Sequence, residues 1–516
     1  MTRVFDLIVV VVYLAAMTGV GIWFSRRQTS TENYFVAKRS VPSWAMGMSM
    51  LATMVSSVTF VAYPGYSYAG DWALLLPGFL LIALLPFVGK VIIPFYREEV
   101  GMSAYEYFQR RFGRPARVYA ALSFSLAHFS KMGFVLYLMA LTISAMTGWD
   151  IVTVICVVAV VMVFYTVIGG IEAVVWSDVI QGFVMWIGIA VALAYLLFLP
   201  PGGPAAVFGI ASENSKFGFG SMDFDFSRPT IPVLILYGLF WYGQRYVADQ
   251  TMVQRYLLAK SDRGAIKGVR MGAFLCVPVW ALFMLVGTCV WAYFQLSRDA
   301  IPETITKADQ MFPYFLSVHL PPGLLGLLLA ALTGAAMTML ASDLNSLAMV
   351  LVEDFYRPAR PSASDRSRLV AARVIVIVVG LLNVVTALIL VQTKGSALSM
   401  WFAVSAIASG GLAGLFFLAF LSKRATKRSA WTGIGCCLTF TLWAVLTKGA
   451  KPLVDLGSYN YSGDDLTIGA LGNIILFVSG LAASFFTSPT EESSVGTFWH
   501  WRETRRAEVA EGVIHG

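Results

Sequence analysis

Thirteen stretches of this 516-residue chain are apolar over about the length a helix needs to cross a bilayer, roughly 20 residues, and that repetition constrains the fold more than any other feature. Their approximate limits are 5–25, 44–63, 72–96, 118–146, 150–169, 173–199, 231–257, 270–295, 322–352, 370–393, 397–421, 429–447 and 466–487. In hydrocarbon every backbone N–H and C=O must find its partner inside the span, which leaves helices or a closed barrel. Barrel strands would alternate in polarity over about ten residues per crossing. These runs are continuous, so an all-α membrane protein of about thirteen transmembrane helices is expected. Charged residues make up 13% of the chain, against about 25% in a soluble domain. The longest polar stretches, around 200–230 and 488–516, are too short for a catalytic or nucleotide-binding domain. There is no P-loop and no GxGxxG fingerprint after a strand, so a pump driven by ATP has no support. Cys156, Cys276, Cys289, Cys436 and Cys437 all lie inside apolar runs without a repeated CxxC, so neither a disulfide framework nor a zinc site is expected. The first run follows Arg3 and lacks a small-residue cleavage site before Arg26 and Arg27, so it reads as a retained span.

The net charge of +8 comes from basic residues in short loops, which is membrane topology and not a nucleic-acid footprint. Counted on alternate sides of the thirteen spans, 26 Lys and Arg fall on one side and eight on the other, and Lys90, Lys131 and Arg245 lie within spans. The positive-inside rule makes the richer side cytoplasmic. A multi-pass plasma-membrane protein with its N-terminus outside and its C-terminus in the cytoplasm is expected, and an odd number of spans requires those opposite ends.

Charges at bilayer depth are costly and face protein or water-lined cavities, which makes them pointers to function. Here they are Lys131, Asp178, Arg245, Asp249 and Asp343. Arg245 and Asp249 stand one helical turn apart and read either as an internal pair or as site residues. Lys131 and Asp178 have no opposite charge within a turn, so each needs a partner from another helix, an ion or a solute. The second span carries Thr53, Ser56, Ser57 and Thr59 before Pro64 and Gly65, and the seventh carries Tyr242, Gly243, Gln244 and Arg245 at mid-depth. Both read as places where a helix is interrupted, or else as hydroxyl-rich packing surfaces. Each leads a block of five spans, 44–199 and 231–421. Five crossings are odd, so consecutive blocks are inverted, as in transporters whose broken helices meet at the midplane. The remaining divisions are an N-terminal helix and cytoplasmic loop (1–43), an extracellular loop (200–230), two C-terminal helices (422–487) and a cytoplasmic tail (488–516). In the ninth span Thr338, Ser342 and Asn345 share a face, with Asp343 beside it. Such oxygens suit a small hard cation, or interhelical hydrogen bonding. Gly410 and Gly414 in the eleventh span read as close packing.

The chain resembles the sodium:solute symporter family, which holds sodium-coupled sugar, proline, pantothenate and sialic acid transporters, over roughly residues 5–450. The most specific piece is ADQTMVQRYLLAKS (248–261), supported by TENYFVAKRSVPSW (31–44), SAYEYFQRRFG (103–113), IGGIEAVVWSDVIQG (168–182) and SDLNSLAMVLVEDFYRP (342–358). The resemblance implies a LeuT-type pair of inverted five-helix repeats. It implies a sodium site made by carbonyls of Ala52, Val55 and Ala335 with the Thr338 hydroxyl and position 339, where this chain has Met339 and a thioether instead of a second hydroxyl. A second sodium site, found in some members, maps onto Asp178, Thr338 and Ser342, with Ala341 where another hydroxyl is expected. KMGFVLYLMALTIS (131–144) looks like the sialic acid branch, with Lys131 where that branch has an Arg on the substrate carboxylate. Ser56 and Thr59 match substrate-lining hydroxyls, and Gln244 and Arg245 fall where members place gate or substrate-lining groups. The implied protein is no enzyme and needs no organic cofactor. It moves a small polar solute, carboxylated by this resemblance, with sodium by alternating access, embedded in lipid, with no nucleic acid and no obligate protein partner. Left open beside it are a proton-coupled or uncoupled transporter of a neutral sugar or polyol, with Asp178 or Asp343 carrying the proton, and a solute-binding sensor.

Overall fold

The structure, a computed structural model, describes residues 4–297, 299–303, 305–392, 410–449, 452–488 and 494–510. Among the described residues every regular element is helical, and nine helices are long and apolar enough to cross a membrane, or ten when one sharply bent pair is counted as a span. In chain order the elements that matter here are α1 (Val4–Ser25), α2 (Ser43–Met54), α3 (Ser57–Ala69), α4 (Ala73–Glu99), α5 (Arg114–Thr147) and α6 (Ile151–Phe198). They continue as α7 (Ile231–Ala248), α8 (Gln250–Leu258), α9 (Asp262–Ser297), α10 (Leu324–Ala359), α11 (Asp365–Gln392), α12 (Leu412–Leu421), α13 (Lys427–Thr447) and α14 (Asp465–Phe485).

The expected spans map onto these elements with two differences in form. Those at 150–169 and 173–199 join in a single helical segment, α6, whose 48 residues would run about 72 Å at 1.5 Å each, more than twice the hydrocarbon thickness of about 30 Å. Gly170 divides it, with φ 55° and ψ −155°, a conformation open essentially to glycine alone. The expected span at 397–421 falls partly on residues 393–409, outside the described residues; its end is α12.

α10 is the centre of the bundle. Every residue from Leu328 to Val350 is buried, its hydroxyls and the Asp343 carboxylate included. It packs along α6, α5 and α1 and crosses α2. Gly188 lets α6 come close enough that a Cβ there would stand 2.9 Å from the Ala331 Cβ, the small-residue contact that membrane helices use in place of a hydrophobic driving force. On the outside, Val370, Val374, Ile377, Val378, Leu381, Leu382 and Val385 of α11 form an exposed apolar stripe at helical spacing. Such a stripe would be a liability in water and suits contact with acyl chains. All five cysteines are free.

Two helices are broken. α2 and α3 meet at 60°, through Val55 (φ −106°, ψ 119°) and Ser56 (φ −120°, ψ 176°), inside the hydroxyl-rich stretch where an interruption is expected. Ser56 starts α3 as half of a capping box, its N–H donating to Thr59 Oγ1 at 3.3 Å. The second break departs from expectation. Tyr242, Gly243, Gln244 and Arg245 stay helical, and the chain leaves the helix one turn later, at Asp249 (φ −91°, ψ 115°). The cause is the Asp249 carboxylate, which accepts from the Thr251 N–H at 2.8 Å and so supplies the N-cap from which α8 starts.

Candidate ion and solute site

A helix that stops inside a bilayer leaves its last carbonyls without intrahelical partners. At the end of α2 the Ala52 carbonyl accepts from Thr338 Oγ1 of α10 at 3.0 Å, and the same hydroxyl lies 3.1 Å from the Ala335 carbonyl. A hydroxyl has one proton to give. It serves one carbonyl at a time, and three oxygens converge within about 3 Å at a buried point between two helices. Ala52, Ala335 and Thr338 are thus brought together, with the buried Val55 at the break itself. The donors are neutral oxygens, the chemistry a hard monovalent cation accepts, and they fit sodium. Met339 follows Thr338 on α10, 6% exposed, and offers only its sulfur.

One turn along α10, Ser342 and Asp178 are also brought together, around a cation supplied by the protein. Arg255 of α8, fully buried, donates through Nη2 to Ser342 Oγ at 2.8 Å, bonds Thr53 Oγ1 and lies 3.4 Å from Asp178 Oδ2. Ser49 Oγ donates to the same Asp178 oxygen at 2.6 Å, while Asp178 Oδ1 is buried without a hydrogen-bond partner. The positive-inside count places Arg255 among the loop cations, and that is corrected here: all nine residues of α8 are buried. The signal for it lies in the polar density of Gln250, Thr251, Gln254, Arg255 and Tyr256, five hydrogen-bonding side chains in a nine-residue helix continuing a span.

Lys131 finds its partner across the bundle, Nζ standing 2.7 Å from Asp343 Oδ2 of α10. The other Asp343 oxygen is 2.8 Å from His128 Nδ1, and His128 Nε2 is 3.4 Å from Asp249 Oδ2. Asp249 Oδ2 in turn pairs with Arg245 Nη1 at 3.0 Å, so the one-turn pair read from the sequence forms. The result is a continuous chain, Arg245–Asp249–His128–Asp343–Lys131, buried from Asp249 onward, joining both ends of the α7–α8 break to α5 and α10. Ser57 Oγ donates to the Val135 carbonyl, one turn beyond Lys131, at 3.3 Å, which brings the start of α3, with the buried Ser56 and Thr59, against this part of α5. Gln244 turns away: its Oε1 accepts from Asn473 of α14 at 3.2 Å. Sequence reasoning passes over His128, whose place three residues before Lys131 puts both on one helical face.

Residues 34–436 match the sodium:solute symporter family. The chain belongs to that family. It is 32% identical over 489 residues to the sodium/sialic acid symporter SiaT of Proteus mirabilis, covering 94% of this chain and 95% of that one. It is 31% identical over 501 residues to the sodium/sialic acid symporter NanT of Aliivibrio fischeri, covering 96% and 95%. A solved structure of a Na+-coupled sialic acid symporter, in a substrate-bound outward-open state, superposes with a TM-score of 0.87 at 30% identity, over 95% of this chain and 99% of that one. The fold is LeuT-type. As a member of the family the protein is a multi-pass membrane transporter that couples solute movement to sodium, and not an enzyme.

Proposed function

We propose that the protein imports a small carboxylated solute, of the sialic acid kind, together with sodium by alternating access. The observation that carries the ion assignment is the Thr338 hydroxyl lying between the Ala52 and Ala335 carbonyls at the end of a broken helix. Those three groups, with Val55 and neighbouring Met339, form the sodium site. Asp178 and Ser342 form a second cation position, at which Arg255 competes with any ion. Lys131 meets the solute's carboxylate, Arg245 is a second anion contact, and Ser56 and Thr59 bond its polar groups. Gln244, bonded to Asn473, is left out of the solute shell. Substrate identity is supported by the relatives' activity together with a lysine at the head of the KMGFVLYLMALTIS stretch.

The two inverted repeats are residues 44–199 and 231–421, flanked by one helix before and two after. With the buried Arg255 taken out, the 25-to-eight bias of basic residues supports an outer N-terminus and a cytoplasmic C-terminus in the plasma membrane. The transport cycle calls on no nucleic acid and no partner protein.

Uptake of N-acetylneuraminic acid into proteoliposomes, with sodium replaced by choline at fixed pH, tests the coupling; accumulation that survives the replacement removes sodium from the reading. Lys131→Ala tests the solute assignment. It should weaken binding of the acid at least tenfold more than binding of its uncharged methyl ester, and equal losses would make Lys131 structural.

A further inference from the structure

We propose that Trp280 is a further solute contact: its indole N–H donates a hydrogen bond to an uncharged oxygen of the solute, a hydroxyl or an acyl carbonyl, beside an aromatic wall formed with Tyr63 and Tyr242. The inference rests on the reading that the solute lies by Ser56, Thr59 and Arg245, and it narrows that solute to an acid whose uncharged body also carries acceptor oxygens, as a sugar acid does. Depth is the first support. α9 runs alongside both halves of the broken span in the same direction: a Cβ at Gly272 would stand 2.8 Å from the Met50 Cβ of α2, and Phe283 meets Phe60 of α3 with ring centroids 5.2 Å apart. One turn before Phe60 lies the interruption at Val55 and Ser56, and one turn before Phe283 lies Trp280. The indole is therefore level with the break. Tyr63 lies two turns farther along α3, but long helical side chains lean toward the N-terminus, and its ring stacks on the indole with centroids 6.2 Å apart. Tyr242 of α7 lies against the same indole at 5.9 Å. Thr59 is one turn from Tyr63 and Arg245 one turn from Tyr242, so the two tyrosines share helix faces with residues already assigned to the solute.

The second support is the donor itself. A buried indole N–H ordinarily has a partner. Trp280 is 2% exposed, and its Nε1 is buried without a hydrogen-bond partner among the described residues. The two tyrosine rings do not serve as acceptors: their planes lie 29° and 32° from the indole plane, which contains the N–H, so the donor runs along their faces and not into them. Nor is it turned to α4. There the Cε3–Cζ3 edge of the indole sits on Gly78, where a Cβ would come within 2.8 Å of Cε3, and Nε1 is carried on the opposite edge. The donor thus points away from α4 at the depth of the break. An acceptor arriving there relieves a desolvated donor, which makes the bond count for more than an exchange with water. The tyrosine rings offer the C–H face of a sugar ring an apolar surface beside it.

The test is calorimetric titration of the purified full-length protein, in saturating sodium, with N-acetylneuraminic acid and with its methyl ester. Trp280→Phe keeps an aromatic ring and removes the N–H, leaving the solute's oxygen without its donor. It should weaken acid and ester by the same factor, roughly 5- to 150-fold, while the rise in unfolding temperature that sodium alone produces stays at the wild-type value. Unchanged affinity, or a loss confined to the acid, overturns the Trp280 contact. So does a loss accompanied by loss of the sodium effect, which marks a packing role. In wild type isotope-labelled at the indole nitrogens, the acid should also move an indole N–H proton resonance downfield. Should Trp280→Phe fail to fold, that measurement decides, and no moving resonance overturns the contact. Acid and ester bound alike by wild type overturn the carboxylate reading and not the Trp280 contact; neither bound overturns both.

Discussion

Thr338→Ala removes a single hydroxyl at the convergence of α2 and α10, and its effect on sodium can be worked from the two bonds that hydroxyl makes. With sodium bound, the oxygen presents its lone pairs to a cation, and a contact of this charge-assisted kind contributes about 1.5–3 kcal/mol. With sodium absent, the same hydroxyl donates to the Ala52 carbonyl at 3.0 Å, a neutral bond whose net contribution is about 1 kcal/mol. The variant loses both. Only the difference, about 0.5–2 kcal/mol, shows in ion affinity, which corresponds to a roughly 2- to 30-fold rise in the sodium concentration for half-maximal uptake. Thr338→Ser keeps the oxygen and should stay within about threefold of wild type. The assay is initial-rate uptake of N-acetylneuraminic acid into proteoliposomes over a sodium series made up to constant ionic strength with choline. A Thr338→Ala protein with wild-type protein yield and an unaltered sodium requirement would refute the reasoning, because no ion coordinated by that oxygen can be indifferent to its removal.

Met339→Ser restores an oxygen where the chain offers sulfur, and should lower the sodium concentration for half-maximal uptake about 2- to 10-fold if the hydroxyl reaches the ion; a rise or no change would place the side chain outside the ion's shell. Arg255→Met leaves Asp178 buried and unpaired and should destabilise by about 3–5 kcal/mol, seen as a lowered unfolding temperature in detergent, and Asp178→Asn on top of it should recover part of the loss; an additive further loss would mean that the two do not pair. Gly170→Ala forces a side chain into the φ 55°, ψ −155° conformation and puts its Cβ 2.8 Å from the Tyr34 carbonyl, so it should cost about 1–3 kcal/mol in thermal stability. Gly148→Ala, at φ 75° with nothing within 4 Å of its Cβ, should cost less, and the reverse order would count against the break in α6.

What is legible in the sequence follows from one-dimensional physics. Apolar length marks a span, and a cluster of hydroxyls ahead of Pro64 marks a break, so the interruption at Val55 and Ser56 lies where the pattern places it. Periodicity likewise puts Thr338 and Ser342 on one face of α10. The second break escapes the pattern because arguments from backbone flexibility weigh glycine first; Gly243 stays helical, while a carboxylate able to cap its own following turn decides the matter at Asp249. Partners across the bundle are not legible at all. Nothing within a helical turn of Lys131 announces Asp343, and Asp178 and Arg255 are 77 residues apart. Arg255 is the harder case, since a cation next to a basic loop reads as solvated until the helix carrying it is seen to be wholly buried.

The three assemblies converge on α10, and that convergence bears on coupling. Thr338, Ser342 and Asp343 lie within about 7.5 Å along one buried helix. The broken helix α2–α3 brings Ala52 to the first of them and Thr53 toward the second, while the α7–α8 break brings Arg255 to the second and Asp249, through His128, to the third. Thr53 is the hinge between these sets: adjacent to Ala52, the proposed ion ligand, it bonds Arg255 and faces Ser342 at 3.4 Å. An ion drawing the end of α2 onto Thr338 therefore moves a residue that holds Arg255, and Arg255 is fixed through the Thr251 carbonyl to the turn capped by Asp249. The proposed ion and solute positions thus share packed, hydrogen-bonded elements, which is the physical requirement for one site to bias the other.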